Sequence, residues 1–285
     1  MHGLDTKEFI LKNSINIRNE ARFRQAVEVF YKINKELHCS QPFFFKYVFN
    51  ESRFNLIMMI CCLVYGEGLL LLTDVKNLCK ANLITSESTI TSTLSFLVVS
   101  GRIEISRDRF NRREVKIKIT EKGIEDLSKY IICSLKPLSV LRDEICIGLE
   151  QVKSEYFLRN FFCSLSVPLL SGVTFRSINP DIYHFISKDG GRLFIVYLYM
   201  QSIKNNNVIS YSLDQMCYDH AISRTQVVRL LKDMKSYGFV DFASKNVINI
   251  NNKFINFAEE YLSLWFSYIE FYIYISADLK RFLFR

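Results

Sequence analysis

The side chains of this chain that could do chemistry are mostly cationic, and they cluster. Between residues 106 and 116 the stretch SRDRFNRREVK gathers Arg107, Arg109, Arg112, Arg113 and Lys116 against only Asp108 and Glu114. A guanidinium presents a planar fork of N–H donors that matches phosphate oxygens, so this composition suits a polyanion. A second group, Arg224, Gln226, Arg229 and Lys232, lies close together on one predicted helix. Catalytic constellations are missing. No GxxxxGK[ST], GxSxG or HExxH occurs, and no GxGxxG opens a helix. The GEG at 66–68 runs into LLLL, which is no phosphate-binding helix start. His2, His38, His184 and His220 are scattered without zinc-ligand spacing. The acid pairs Asp143-Glu144 and Glu259-Glu260 have no partner groups and read as helix surface. The expectation is a protein that is not an enzyme and carries neither cofactor nor metal.

The formal charge of +8, with pI near 9.0, favours nucleic acid, an anionic membrane surface or an acidic protein over a small neutral substrate. At 285 residues and 49% apolar content, the chain can fill two cores. Eight cysteines without a CxxC pair, mostly in apolar settings such as MMICCLVY, read as reduced thiols of a cytoplasmic protein. The N-terminus lacks the basic-then-apolar layout of a signal peptide. The run FNLIMMICCLVYGEGLLLL is interrupted by Asn55, Gly66, Glu67 and Gly68, so it reads as a buried helix and strand, with no membrane partner.

What must position the arginines is a repeated plan. SESTITSTLSFLVVSGRIEI from Ser86 overlays SRTQVVRLLKDMKSYGFVDF from Ser223, pairing Ile90 with Val227, Leu94 with Leu231, Leu97 with Met234 and Gly101 with Gly238. The offset between partners is the same at every pair. It extends upstream, where Leu56, Ile57 and Ile60 meet Leu193, Phe194 and Tyr197. Pro137 marks the start of the second copy. The expected domains are therefore 1–136, with a hairpin at 102–120, and 137–285, with a short hairpin at 239–249 and a C-terminal helix.

Periodicity supplies the elements. Phe23, Val27, Phe30, Asn34 and Leu37 follow a helical repeat and predict a long amphipathic helix. A helix over about 51–65 follows, then a short strand near 69–72 and a helix capped by Thr73 and running through Lys80. Residues 86–100 predict a helix ended by Gly101, and strands at 102–106 and 114–120 flank the arginine-rich stretch. A last helix starts at Glu121. In copy two, Ser223 and Gln226 predict a capping box. Helix, strand, helix, turn, helix and hairpin make a winged helix-turn-helix. The expected fold class is mainly α with small β-hairpin wings, two such units in tandem.

STITSTLSFLVVSGRIEISRDRFNRREVKIKITEKG resembles the MarR group of winged-helix transcriptional regulators, and the likeness covers about half of copy one. The matching features are the Ser/Thr-rich helix, Gly101 before the first wing strand, Arg113 at the wing tip, and the close at Ile119, Thr120 and Gly123. Asn111 stands where that family has an aspartate. The resemblance implies sequence-specific binding of double-stranded DNA. Its single-domain members are homodimers with interlocking terminal helices, and duplicated members occur among the Sar-type regulators. It therefore implies a single-chain pseudo-dimer. It also implies a small-molecule effector between the terminal helices and the DNA-binding lobe, where the aromatic runs YFLRNFF and YLSLWFSYIEFY could line a pocket.

A helix fits the major groove and an adjacent wing reaches the backbone or the minor groove. The candidate contacts are Ser86, Ser88, Thr89, Ser92 and Thr93 on the copy-one helix, and Arg107, Arg109, Arg112 and Arg113 on its wing. In copy two they are Arg224, Gln226, Arg229 and Lys232. The copy-one helix face carries no cation, while the copy-two wing offers only Lys245. Two other readings share this architecture: a plasmid-type replication initiator with tandem winged helices, and a chain in which one domain is a protein-interaction module.

Overall fold

The computed structural model describes residues 3–67, 71–81, 85–107, 115–146, 148–220 and 222–284. Copy one runs α1 (Gly3–Arg18), α2 (Phe23–Ser40), α3 (Pro42–Val48), α4 (Glu51–Glu67), α5 (Leu72–Ala81), α6 (Glu87–Val99), β1 (Ile103–Arg107), β2 (Val115–Ile119) and α7 (Glu121–Leu135). Copy two begins with α8 (Leu138–Leu141), α9 (Leu149–Lys153), α10 (Glu155–Leu170), α11 (Phe175–Ile178), α12 (Pro180–Ile186) and α13 (Gly191–Lys204). It continues with β3 (Val208–Ser210), α14 (Leu213–His220), α15 (Arg224–Ser236), β4 (Val240–Ser244), β5 (Val247–Ile250), α16 (Asn252–Ile275) and α17 (Ala277–Leu283). The protein is mainly helical, with two small antiparallel sheets.

The repeat is visible in the bounds themselves. Both ends of α15 follow those of α6 by the offset that separates Ser223 from Ser86, and both ends of β4 follow those of β1 by the same interval. Local chemistry explains the coincidence. The Ser86 and Ser223 hydroxyls cap the two helices by accepting from the amides of Thr89 and Gln226. Each helix ends in a left-handed glycine, Gly101 at φ 75° and Gly238 at φ 69°. In both, the next amide reaches back into the last turn, Arg102 to the Leu97 carbonyl and Phe239 to that of Met234, each at 2.8 Å. The hairpins differ in length. β4 and β5 join through Lys245 and Asn246, whereas 108–114, which separate β1 from β2, lie outside the described residues. A third chain segment adds to each sheet, as β3 beside β5 in copy two and as a single bridge from Leu71 to Lys116 in copy one.

The copies exchange their ends. α1 lies along α16, while α9 lies against α7; α10 packs on α4, while α2 packs on α13 and α14. Each copy's leading helices thus cover the other copy. One hydrophobic core runs through both, and α16 threads it with Phe254, Phe257, Leu262, Trp265, Phe266 and Phe271 all buried. Burial of each such side chain contributes about 1.5–3 kcal/mol. Polar contacts fix the exchange: Ser267 donates to the Ile10 carbonyl at 2.8 Å, and Arg142 joins Glu20 at 2.8 Å to Glu270 at 2.6 Å.

The stretch 155–178 is long and apolar enough to span a membrane. In the fold it is broken at Gly172, and its first part is α10, packed on α4 and α16. One expectation fails locally. Thr73 is not a cap: α5 starts at Leu72, immediately after Leu71 bridges to Lys116, so Thr73 already sits in the first turn.

Candidate nucleic-acid interface

α6 turns Ser88, Thr91 and Ser92 outward beside the exposed cap Ser86, with Thr89 half-buried. These hydroxyls are already engaged at the helix start. Ser86 Oγ shares hydrogen bonds with Ser88 Oγ at 3.0 Å and Thr89 Oγ1 at 2.9 Å, and Ser92 donates to the Thr89 carbonyl at 3.1 Å. Thr93 is a correction. It is 0% exposed, beside Leu94 on the stripe that also holds Ile90 and Leu97, and its Oγ1 has no hydrogen-bond partner. A buried side chain cannot meet a groove from this face. The helix surface is therefore uncharged apart from Glu87, which Lys76 holds at 2.7 Å.

α15 presents the opposite chemistry. Arg224, Arg229, Lys232 and Lys235 are exposed, while Val227, Leu230, Leu231 and Met234 face the core. Arg224 reaches back to Asp214 on α14, its Nε at 2.8 Å, in an ion pair open to solvent. Such exposed pairs hold little energy, so an anion can compete for the guanidinium. Gln226 donates its backbone N–H to the Ser223 cap, and its side chain is half-buried, the least exposed of the four expected contacts. Lys235 lies 5.5 Å from the Phe242 ring on β4, tying this face to the second hairpin.

Of the first hairpin, the β1–β2 ladder from Ile103–Ile119 to Arg107–Val115 is described. Arg109, Arg112 and Arg113 lie outside the described residues, as does the side chain of Arg107. The base of this hairpin is built by a residue that the sequence pattern does not single out. Arg102 is buried, with Nε 2.9 Å from Asp126 on α7, a further bond to Gln41, and its guanidinium 4.0 Å from the Phe44 ring. Gly123 closes the corner, since a Cβ there would stand 2.4 Å from the Arg102 carbonyl oxygen. Copy two builds the corresponding corner on an aromatic ring. Phe239, the repeat partner of Arg102, packs on Phe257 at 4.6 Å and Phe185 at 5.6 Å.

Other chemistry is sparse among the described residues. All eight cysteines are free, and burial pushes the thiols of Cys61, Cys62, Cys79 and Cys133 up, away from reactive thiolate. No group of three or more His, Cys, Asp or Glu side chains gathers there to hold a metal. Comparison with protein-family models, with curated proteins and with solved structures finds no match to this chain.

Proposed function

We propose that the chain is a sequence-specific double-stranded DNA-binding transcriptional regulator whose two repeats are winged helix-turn-helix units joined as a single-chain pseudo-dimer. The observation that carries this reading is the coincidence of α6–β1 and α15–β4 at one offset, together with the row of exposed cations on α15. A helix of this kind, capped by serine and followed by a hairpin, has the dimensions to enter a major groove with its hairpin beside the backbone. The two halves differ in means: α15 offers Arg and Lys to bases and phosphates, while copy one relies on its longer, arginine-rich hairpin. The chain acts in the cytoplasm as a binding protein and not as an enzyme.

A small-molecule effector between the copies is part of the same proposal, and the interior restricts it. The two cavities at the junction, beside Arg192 and Trp265, measure about 40 and 50 Å3. An effector larger than a few atoms must part the helices to enter either of these two.

Selection of bound duplexes from a random pool by the full chain, followed by affinity measurement over a salt series, tests the function. A recovered consensus, bound well above random DNA, supports it. A single affinity for every duplex removes sequence specificity, and recovery of iterated origin-like repeats favours the replication initiator.

A further inference from the structure

Between the copies the surface opens into a cleft of about 930 Å3. Copy one contributes Arg53 from α4, Lys76 and Lys80 from α5, and Ser86 and Thr89 at the start of α6, while copy two contributes Arg176 from α11. Four of the side chains around it are cations. Among the described residues its wall holds one acid, Glu87, which pairs with Lys76 at 2.7 Å, so the wall keeps a net positive charge. Arg53 is held by the Tyr47 carbonyl at 3.1 Å and the Tyr47 ring at 4.1 Å, with Asp189 of copy two at 3.4 Å. Arg176 leans toward Tyr183, its guanidinium carbon 5.6 Å from that ring.

We propose that this cleft seats the sugar–phosphate backbone of the duplex engaged by copy one, and that Arg176 of copy two completes the site. The inference rests on the reading of the chain as a DNA-binding protein and adds to it where copy one obtains its phosphate contacts. Three observations converge. Ser86 and Thr89 belong both to the cleft wall and to the α6 face, so a backbone lying in the cleft is continuous with a helix in the adjoining groove. α6 itself brings no cation, so the attraction must come from its surroundings. The cations come from α4, α5 and α11 of the two copies and line an opening of about 930 Å3, which suits an extended polyanion better than a compact anion. Lys76 and Lys80 stand one helical turn apart on the same side of α5. Copy two has no equivalent, because Gly190 and Cys39 occupy the repeat positions of Arg53 and Arg176.

The test uses the full chain with the combined variant Lys80→Ala, Arg176→Ala, both positions being exposed. Affinity for a selected duplex is measured by fluorescence anisotropy across a salt series, beside Arg176→Lys and Arg229→Ala, with circular dichroism confirming the fold. The expected result is weaker binding to every duplex and a log–log salt slope shallower by about 1.8, at about 0.9 for each phosphate no longer neutralised. Arg176→Lys should restore most of the Arg176 share. Ethylation interference should then lose phosphates at the copy-one half-site alone. If the wild type binds and the combined variant keeps its affinity and slope, the cleft assignment is overturned while the function stands. If the wild type binds no DNA, both fall.

Discussion

Arg192 of α13 and Glu51 of α4 form an ion pair that crosses from copy two to copy one inside the shared core. The guanidinium lies 4.3 Å from the Phe54 ring and 4.9 Å from Trp265, and its Nε has no hydrogen-bond partner. Removing one charge strands the other in an apolar setting, at a cost of about 3–5 kcal/mol. Arg192→Met should therefore lower the urea midpoint sharply, and Arg192→Met with Glu51→Leu should recover much of the loss. Equal midpoints for the single and combined variants would show that the pair does not couple the copies.

Gly123 and Gly101 should differ in why they resist substitution. Alanine at 123 must displace the Arg102 carbonyl or Ile119, whose Cγ2 would be 2.8 Å away, costing about 1–3 kcal/mol by overpacking. Alanine at 101 meets nothing within 4 Å and suffers only from φ 75°, about 1–2 kcal/mol. Thermal unfolding of the two variants checks the order; Gly101→Ala as the more damaging change would contradict the packing at the hairpin base.

Stability should fall on mild acidification because of His38 and His220. Burial, with the charges of His220 and Lys46 adding to it, lowers His38 to about 4, and burial lowers His220 as well. The folded state keeps His38 neutral well below pH 6.5, where the unfolded chain takes its proton, and burial acts on His220 in the same direction. The stabilisation is complete above that pH and is lost as pH falls toward 4, amounting to about 3 kcal/mol for His38. Urea midpoints at pH 7.5 and pH 5 should therefore separate, and His38→Leu should narrow the gap. A flat profile for the wild type would contradict the buried, neutral assignment.

Arg229→Ala and Lys232→Ala should act differently from hairpin variants. If α15 reads base edges, Arg229→Ala changes sequence preference and costs about 1–3 kcal/mol on the preferred site. Arg112→Ala with Arg113→Ala should instead weaken binding to all duplexes and flatten the salt slope by about 1.8. Selection experiments on each variant read the difference; an unchanged consensus for Arg229→Ala would leave that residue a phosphate contact only.

Features with local causes were legible in the sequence. Ser86, Ser223, Gly101 and Gly238 punctuate α6 and α15 by capping chemistry that acts within a few residues, so the bounds followed. Thr93 misled because its hydroxyl resembles its neighbours' while its position belongs to the apolar stripe. Arg102 and Arg192 escape a sequence reading because a cation in a basic chain suggests solvent. Their partners, Asp126 and Glu51, lie 24 and 141 residues away, and no local pattern links them. The exchange of leading helices between copies is likewise a long-range outcome, carried by α1 against α16 and α10 against α4.

Hydroxyl-radical footprinting of the full chain on its selected duplex, at a stoichiometry fixed by sedimentation, tests the central claim most directly. One chain per duplex should protect two half-sites centred about one helical turn apart. A single protected half-site, or two half-sites that need two chains, would contradict the single-chain pseudo-dimer.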